Sequence, residues 1–260
     1  MADSVARYHI VGTGRVAQAL AARLCERGLK ISTVIGRNKE RGMQLAKEHL
    51  SVYASFKEFG GAPGIYLIAV SDDAIEEVGW KLARVIPETA ILAHTSGATS
   101  IEVLRPHGRR GIFYPLQSFS GSPPPDWEQI PILIDGNNED VRRPLERLAR
   151  RLVPGVRRTT DTERQHLHLA AVVVNNFTNH LYHLAADYCE QQEVPFELLQ
   201  PLIRQTAQKI SGSHPRTAQT GPARRGDEQT LRRHLRMLED QPELHTLYEQ
   251  LSRGVRKKYE

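Results

Sequence analysis

A short apolar strand that leads directly into a glycine turn and a helix constrains this chain more than any other feature. Residues 8–11 are Y-H-I-V, and Gly12, Gly14 and Ala17 then form the pattern G-x-G-x-x-A. Gly12 permits a tight turn, Gly14 lets backbone approach a pyrophosphate, and Ala17 lets the helix pack on the strand. The phosphates would bind the N–H groups at the helix start. The predicted dinucleotide-binding residues of this turn are Gly12, Thr13, Gly14, Arg15 and Val16.

The end of the second predicted strand indicates which dinucleotide binds. NAD sites usually carry an acid about 20 residues after the glycines, which binds the ribose 2′-hydroxyl. Here the strand over 30–35 is followed by Gly36, Arg37 and Asn38, so a guanidinium stands where a carboxylate is expected. Arginine suits a 2′-phosphate because its planar fork bonds two oxygens at once. We therefore predict NADP, with Arg37 and Asn38 in the site. The alternative is a solvated helix start.

The composition narrows the possible partners. The chain has 35 Lys and Arg against 30 Asp and Glu, a formal net charge of +5, and its cations are spread along the sequence. Nucleic-acid binders more often show a clustered basic patch. We therefore expect a phosphorylated cofactor and a small anionic metabolite, and no nucleic acid. Cys25 and Cys189 have neither metal nor disulfide spacing, and residues 1–7 lack an apolar signal core. These features predict a cytoplasmic protein without a metal site.

Strands alternate with helices up to residue 158. The predicted strands after the first lie near 30–35, 51–54, 64–70, 89–94, 111–114, 130–135 and 156–158. This alternation predicts an α/β fold with a doubly wound, mostly parallel Rossmann sheet. Beyond Thr160 only helices are expected, near 161–191, 196–211, 227–238 and 243–256. We expect residues 1–158 to form an NAD(P)-binding domain and residues 159–260 an all-helical domain for substrate binding and dimerisation.

The first helix of the second region has no Asp, Glu, Lys or Arg between Arg164 and Asp187. Its histidines and asparagines make membrane insertion too costly, so no membrane partner is expected. On the side opposite its apolar residues lie His168, Asn175, Asn179 and Tyr182. This polar stripe is either an active-site face or a satisfied seam between helices or subunits. Three short helices cannot cover so long an uncharged run, so we predict a homodimer.

Residues at strand ends are the first candidates for chemistry, because ligands of open α/β sheets bind beyond the carboxyl ends of the strands. The candidate segments are 12–17, 71–73, 94–97 and 114–118. Val70 and Ser71 are predicted to bind the cofactor. Ser96 lies where a nicotinamide ring would reach, so it is predicted to bond the ring's carboxamide or the substrate. A plain turn is the alternative for Ser96.

A loop between two later helices carries paired cations. Arg224 and Arg225 stand within T-G-P-A-R-R-G-D at 220–227, and Asp227 is placed to cap the following helix. Capping explains the glycine and the aspartate but not the two arginines. We predict that Arg224 and Arg225, together with Asn179, bind an anionic substrate.

Taken together, these motifs resemble a family of little-characterised bacterial Rossmann-like oxidoreductases with a helical C-terminal domain of unknown function. The motifs are G-x-G-x-x-A, H-x-S-G-A at 94–98, P-L-Q-S-F at 115–119, H-L-A-A at 168–171 leading to Asn175, and the segment 220–227. The layout is more distantly similar to pyrroline-5-carboxylate reductase, ketopantoate reductase and 6-phosphogluconate dehydrogenase-like proteins. The resemblance implies a helical domain like the C-terminal domain of 6-phosphogluconate dehydrogenase, which closes over the nicotinamide and often dimerises.

The chain departs from the hydroxyacid and ketoacid members of these families. Those members place a lysine four residues before an asparagine, whereas Ala171 and Val172 precede Asn175 and Asn176 here. His168 is the nearest titratable substitute. Hydride transfer to C=O or C=N leaves an atom that must gain a proton, and the unperturbed pKa of histidine is near neutrality.

We therefore predict His168 as the acid, Asn175 as the group that orients the substrate, Ser96 as a partner at the ring, and His94 as the reserve donor. The leading hypothesis is an NADP-dependent reductase of a small imine or carbonyl compound. A ketopantoate-like 2-oxo-acid reductase is the alternative enzyme. A non-catalytic NADP-binding sensor or partner protein is the alternative from another class, because fold does not imply function.

Overall fold

The structure is a computed structural model that describes residues 7–120 and 126–259. The chain divides into two compact units, Met1–Val173 and Val174–Glu260, here called the first and the second unit. Each is described by itself.

The described part of the first unit contains one eight-stranded sheet. Its strands are β1 (Tyr8–Val11), β2 (Ile31–Ile35), β3 (Val52–Ala54), β4 (Ile65–Ile68), β5 (Ile91–His94), β6 (Arg110–Pro115), β7 (Ile132–Gly136) and β8 (Val156–Arg158). The order is β3-β2-β1-β4-β5-β6-β7-β8, and neighbours are parallel except for the antiparallel pair β6 and β7. The order reverses between β1 and β4, the switch point at which doubly wound sheets bind ligands. The predicted mostly parallel sheet is confirmed.

Helices cover both faces of this sheet. The α-helices of the first unit are α1 (Arg15–Glu26), α2 (Lys39–Glu48), α3 (Asp72–Ala83), α4 (Glu139–Leu152) and α5 (Asp161–Ala171), and the first four pack on the sheet. Ile10 packs in a cluster with residues of α1, α2 and α4, whereas Val11 packs with residues of α3. Successive strand residues point to opposite faces, so both must be apolar when both faces are covered. This accounts for the unbroken apolar strands of the sequence.

The second unit contains helices and no strand among its described residues. They are α6 (Thr178–Gln191), α7 (Gln200–Gly212), α8 (Pro215–Ala218), α9 (Pro222–Arg225), α10 (Glu228–Met237) and α11 (Pro242–Tyr259). The predicted helical region is confirmed. The helix expected over 161–191 is interrupted by a π-helical stretch, Val172–Phe177. Three consecutive valines begin this stretch, and β-branched residues have lowered helix propensity. Among the described residues, no helix is both long and apolar enough to cross a bilayer.

The boundary between the two compact units lies after Val173, later in the sequence than the predicted boundary at residue 158. The last strand, β8, does end at Arg158, but α5 belongs to the first unit. The reason is Arg164, whose fully buried guanidinium donates to the carbonyl oxygens of Gly97 and Thr99. The division of roles between residues 1–158 and 159–260 stays a prediction.

Candidate functional site

A cleft of about 440 Å³ lies at the carboxyl ends of β1, β2 and β4. It is lined by residues 12–16, 36–38 and 69–71, together with Phe56, Ala74 and Val78. The structure thus brings together every residue that the sequence predicted to bind cofactor at the glycine turn, at the end of β2 and at the end of β4.

Gly12 is required by the path of the backbone. Its φ angle is +118°, and a Cβ atom there would lie 2.3 Å from the carbonyl oxygen of Ala69. Its N–H donates to the carbonyl oxygen of Ile35 at 2.8 Å. The turn therefore passes between the ends of β2 and β4, where no side chain fits.

Gly14 has the opposite surroundings. A Cβ atom there would meet no heavy atom within 4 Å, so the turn faces open space. Gly14 is the N-cap of α1, which has no side-chain cap and no acid in its first turn. By contrast, Asn38 and Asn138 cap α2 and α4 with their side chains. The first N–H groups of α1 are thus left for an anion, as a bound pyrophosphate requires.

The end of β2 presents an exposed guanidinium to the cleft. Arg37 lines the cleft and makes no salt bridge within the described part of the chain. The neighbouring carbonyl of Gly36 is fixed, because it accepts a hydrogen bond from Tyr53 Oη at 3.0 Å. Asn38 Oδ1 accepts from the N–H of Arg41 at 2.9 Å, so this oxygen is used in capping α2. Arg37 is therefore the cation at the β2 end of this cleft, and Arg15 lines the same cleft at the start of α1.

A second group of residues lies at the ends of β5 and β6. The N–H of Thr95 donates to the carbonyl oxygen of Ile68 at 3.0 Å, so this group begins on the strand next to β4. His94 is fully buried; its Nδ1 accepts from the N–H of Ser96 at 3.2 Å, and its Nε2 lies 3.4 Å from the carbonyl oxygen of Ser100. Burial, assisted by the charge of Arg164, lowers the pKa of His94 to about 4. His94 is therefore a neutral ring that holds the turn after β5.

Ser96 also takes part in this turn. Its side chain is buried, and its Oγ accepts from the N–H groups of Ala98 and Thr99 at 3.1 and 3.0 Å. The acceptor capacity of the hydroxyl is thus used within the turn, as the plain-turn alternative expects. Its role at a nicotinamide ring stays a prediction.

His168 meets a tyrosine that the sequence analysis placed in a candidate segment but gave no role. Nδ1 of the half-buried His168 lies 3.1 Å from Tyr114 Oη, and the rings meet edge to face with centroids 6.1 Å apart. A Cβ atom on Gly97 would lie 2.4 Å from His168 Nδ1 and 2.8 Å from Tyr114 Cζ. Burial raises the pKa of Tyr114, the carboxylate of Asp72 adds to the rise, and Arg164 opposes it. We call Tyr114 and His168 the histidine–tyrosine pair.

A buried ion pair holds the turn against α5. The guanidinium of Arg164 donates to Asp161 Oδ1 at 2.5 Å and to Gly97 O at 3.2 Å. Asp161 Oδ2 in turn accepts from Ser100 Oγ at 2.5 Å and from the N–H of Ile101 at 3.0 Å. Burial alone would raise the pKa of Asp161, but the hydrogen bonds from Ser100 and Arg164 outweigh it and hold the pKa below its ordinary value. This pair was not predicted from the sequence, in which Arg164 stands only as the end of an uncharged run.

The remaining predicted site residues belong to the second unit. Asn175 and Asn179 are exposed, the former in the π-helical stretch. Arg224 and Arg225 are exposed, and the Cζ atom of Arg224 lies 4.2 Å from the ring centroid of Tyr259. Asp227 Oδ1 accepts from the N–H of Thr230 at 3.0 Å, which is the expected helix cap. The roles of Asn175, Asn179, Arg224 and Arg225 toward a substrate stay predictions.

Two known families match this chain, one over its N-terminal part and the other over its C-terminal part. Residues 3–117 match the family described as a Rossmann-like domain, and residues 130–255 match a domain of unknown function (DUF2520). A candidate NADP oxidoreductase from Bacteroides fragilis is 35% identical, with 97% of this chain and 98% of that chain covered and a TM-score of 0.89. This chain belongs to the same family. The predicted membership of Rossmann-like oxidoreductases with a helical C-terminal domain of unknown function is confirmed.

More distant solved structures share the fold. A reductive aminase from Aspergillus terreus, in complex with NADPH and ethyl-5-oxohexanoate, is 15% identical, with 99% of this chain and 97% of that chain covered and a TM-score of 0.67. A 1-pyrroline-5-carboxylate reductase from Streptococcus pyogenes is 12% identical, with 96% and 98% covered and a TM-score of 0.60. The expected likeness to pyrroline-5-carboxylate reductase is thus confirmed for the fold. No curated protein sequence matches the chain.

Proposed function

We propose that this chain is an NADP-dependent oxidoreductase that reduces a small imine or carbonyl metabolite by hydride transfer. The observation that carries the proposal is that two groups of candidate residues lie at the same end of the sheet, where the parallel strands have their carboxyl ends. The glycine turn and Arg37 lie at the ends of β1 and β2, and the histidine–tyrosine pair lies by the end of β6. A reductase needs a dinucleotide site and a proton donor at the same end of the sheet, and here only β5 stands between the strands of the cleft and β6.

The residues of the cleft fit a nicotinamide dinucleotide. The uncapped start of α1 and the open space beside Gly14 would receive the diphosphate. Arg37 would bind a 2′-phosphate, for which it offers a planar pair of donors. When bound, the dinucleotide would supply the hydride. We therefore propose NADP rather than NAD.

His168 is the residue that we propose to hold and release the proton. Its Nδ1 is bound by Tyr114, and its Nε2 makes no hydrogen bond within residues 7–120 and 126–259. Imidazole is suited to acid catalysis near neutral pH. His94 is less suited, because both of its ring nitrogens face partners in the turn after β5 and its pKa is about 4.

The second unit supports the proposed substrate class and assembly. Exposed Arg224 and Arg225 offer charge for an anionic substrate. Val174, Phe177 and Leu202 are exposed apolar side chains, which a second copy of the chain would cover in a homodimer. Sedimentation that shows a monomer at micromolar concentration would reject the dimer. We place the protein in the cytoplasm, in agreement with its two free cysteines, Cys25 and Cys189.

The function is tested by NADPH consumption with a panel of cyclic imines, ketones and 2-oxo acids. The proposal expects turnover of at least one imine or small carbonyl compound, faster with NADPH than with NADH. Faster turnover with NADH than with NADPH would contradict the cofactor assignment. Tight NADPH binding without turnover of any panel member would contradict the enzyme and favour a cofactor-binding sensor. Turnover of 2-oxo acids alone would favour the ketopantoate-like alternative.

A further inference from the structure

We propose that Tyr114 is a positioning residue of this site, which holds His168 by Nδ1 and leaves Nε2 as the atom that meets the substrate. The first part concerns only the two side chains. The second part rests on the proposed function. Nothing in the sequence pattern pointed to this role, because Tyr114 and His168 are separated by 54 positions.

In the hydrogen bond between Tyr114 Oη and His168 Nδ1, the tyrosine is the donor when the imidazole is neutral. Tyr114 is half-buried, and within the described residues its hydroxyl has His168 Nδ1 as hydrogen-bond partner. A hydroxyl proton that is partly shielded from water needs an acceptor, because an unmet donor costs free energy. Burial also raises the pKa of Tyr114, so the phenol keeps its proton and donates it. Neutral His168 therefore carries its own proton on Nε2.

The phenol serves the protonated ring equally well. An imidazolium carries protons on both nitrogens, and the hydroxyl oxygen of Tyr114 can then accept from Nδ1. Loss of the Nε2 proton to the substrate leaves Nδ1 protonated and still bonded to Tyr114. The ring thus keeps one partner in each protonation state. A backbone carbonyl in this place could only accept, and a phenylalanine could do neither.

Neighbouring residues hold the two side chains of the histidine–tyrosine pair against each other. Gly97 packs so closely that a Cβ atom there would lie within 3 Å of both side chains. The carbonyl of Gly97 accepts from the buried guanidinium of Arg164, which lies one helical turn before His168 on α5. The same arginine and Asp161 fix Thr99 and Ser100. The pair is therefore held from the turn after β5 and from α5 together.

The molecule contains a matched control for this inference. In the second unit, His234 Nδ1 lies 2.8 Å from Tyr248 Oη, and these rings also meet edge to face, with centroids 5.7 Å apart. This second histidine–tyrosine pair has the same chemistry but no place in the proposed site. Tyr248→Phe removes the same kind of hydrogen bond as Tyr114→Phe.

The test combines NMR of ¹⁵N-labelled histidine rings with kinetics on the intact protein. Signals of His168 and His234 are assigned by their loss in His168→Gln and His234→Gln. In the wild type at a pH where the rings are neutral, we expect His168 to carry its proton on Nε2. Tyr114→Phe should shift its ¹⁵N signals toward a mixture of tautomers, whereas Tyr248→Phe should shift only those of His234. A proton on Nδ1 in the neutral wild type would overturn the inference, and this result does not depend on the folding of Tyr114→Phe.

The kinetic part separates this inference from the proposed function. With an accepted substrate, Tyr114→Phe should lower kcat about tenfold, the kinetic equivalent of one hydrogen bond, without changing the NADPH affinity. Tyr248→Phe should leave kcat unchanged. Unchanged kcat in Tyr114→Phe would overturn the second part of the inference. If no substrate is reduced at all, the proposed function and that second part fail together, while the ring signals still decide whether Tyr114 sets the tautomer.

Discussion

The two halves of the candidate site are built by different means. The glycine cleft at the ends of β1, β2 and β4 depends on backbone: a positive φ at Gly12, open space at Gly14 and an uncapped helix start. The half around His168 depends on side chains from distant segments, since Arg164 bonds Gly97 across 67 positions. The cleft, which depends on backbone, is suited to a dinucleotide, a cofactor that many proteins bind. A half made of long-range side-chain contacts is where this chain can differ from others of its fold.

Substitution of the glycines should give the largest effects in the backbone half. Gly12→Ala places a Cβ atom against the carbonyl of Ala69 at a φ that alanine rarely adopts, so we expect lost cofactor binding and a destabilised fold. Gly14→Ala meets no neighbour, so its thermal stability should stay near that of the wild type while its NADPH affinity falls. Calorimetry and cofactor titration of both variants check this contrast. Equal stability of the two proteins would contradict the account of Gly12.

In the side-chain half, the buried Arg164 should matter most for stability. Its side chain is 0% exposed and leaves Asp161 uncompensated when removed. Arg164→Met should therefore lower the free energy of unfolding by about 3–5 kcal/mol. The control is Arg158→Ala, since the 44% exposed Arg158 pairs with Glu139 and Glu146 at the surface and should cost less than about 1 kcal/mol. Urea denaturation gives both values, and similar losses in the two variants would contradict the assignment.

Acid should destabilise the first unit through two buried histidines, His9 and His94. Burial lowers the pKa of His9 in β1 and of His94 in β5 from 6.5 to about 4. Between pH 6.5 and pH 4 each of these histidines binds a proton in the unfolded chain but not in the native chain. The free energy of unfolding therefore falls as the pH falls from about 6.5 to 4. Each histidine accounts for about 3 kcal/mol by pH 4. His94→Asn should flatten the curve of unfolding free energy against pH by one proton. An unchanged slope would show that His94 is protonated in the native state.

The smallest of these effects concerns Arg37. Arg37→Ala removes charge-assisted hydrogen bonds to a 2′-phosphate, so NADPH affinity should fall about tenfold or more and NADH affinity should not change. Titration calorimetry with both dinucleotides measures this. Equal loss of both affinities would show that Arg37 holds the fold of the cleft rather than the phosphate.

The same difference between the halves determined what the sequence could predict. The glycine turn, the end of β2 and the order of strands and helices follow from local pattern, so the fold and the lining of the cleft were predictable. The partners of His168 were not, because its contacts with Tyr114 and Gly97 depend on how α5 packs beside β5 and β6. Arg164 looked like the end of an uncharged run, whereas its burial is a tertiary fact. The later division of the two units follows from the same arginine.

The central claim is that His168 supplies the proton while the glycine cleft and Arg37 hold the cofactor. The most direct test is the single-turnover rate of NADPH oxidation by His168→Ala with an accepted substrate, measured beside its NADPH affinity. We predict a rate at least about 100-fold below that of the wild type, because a general acid is lost, and an unchanged affinity. A near-normal rate would contradict the assignment of His168. A loss of rate that only parallels a loss of NADPH affinity would contradict the separation of the two halves.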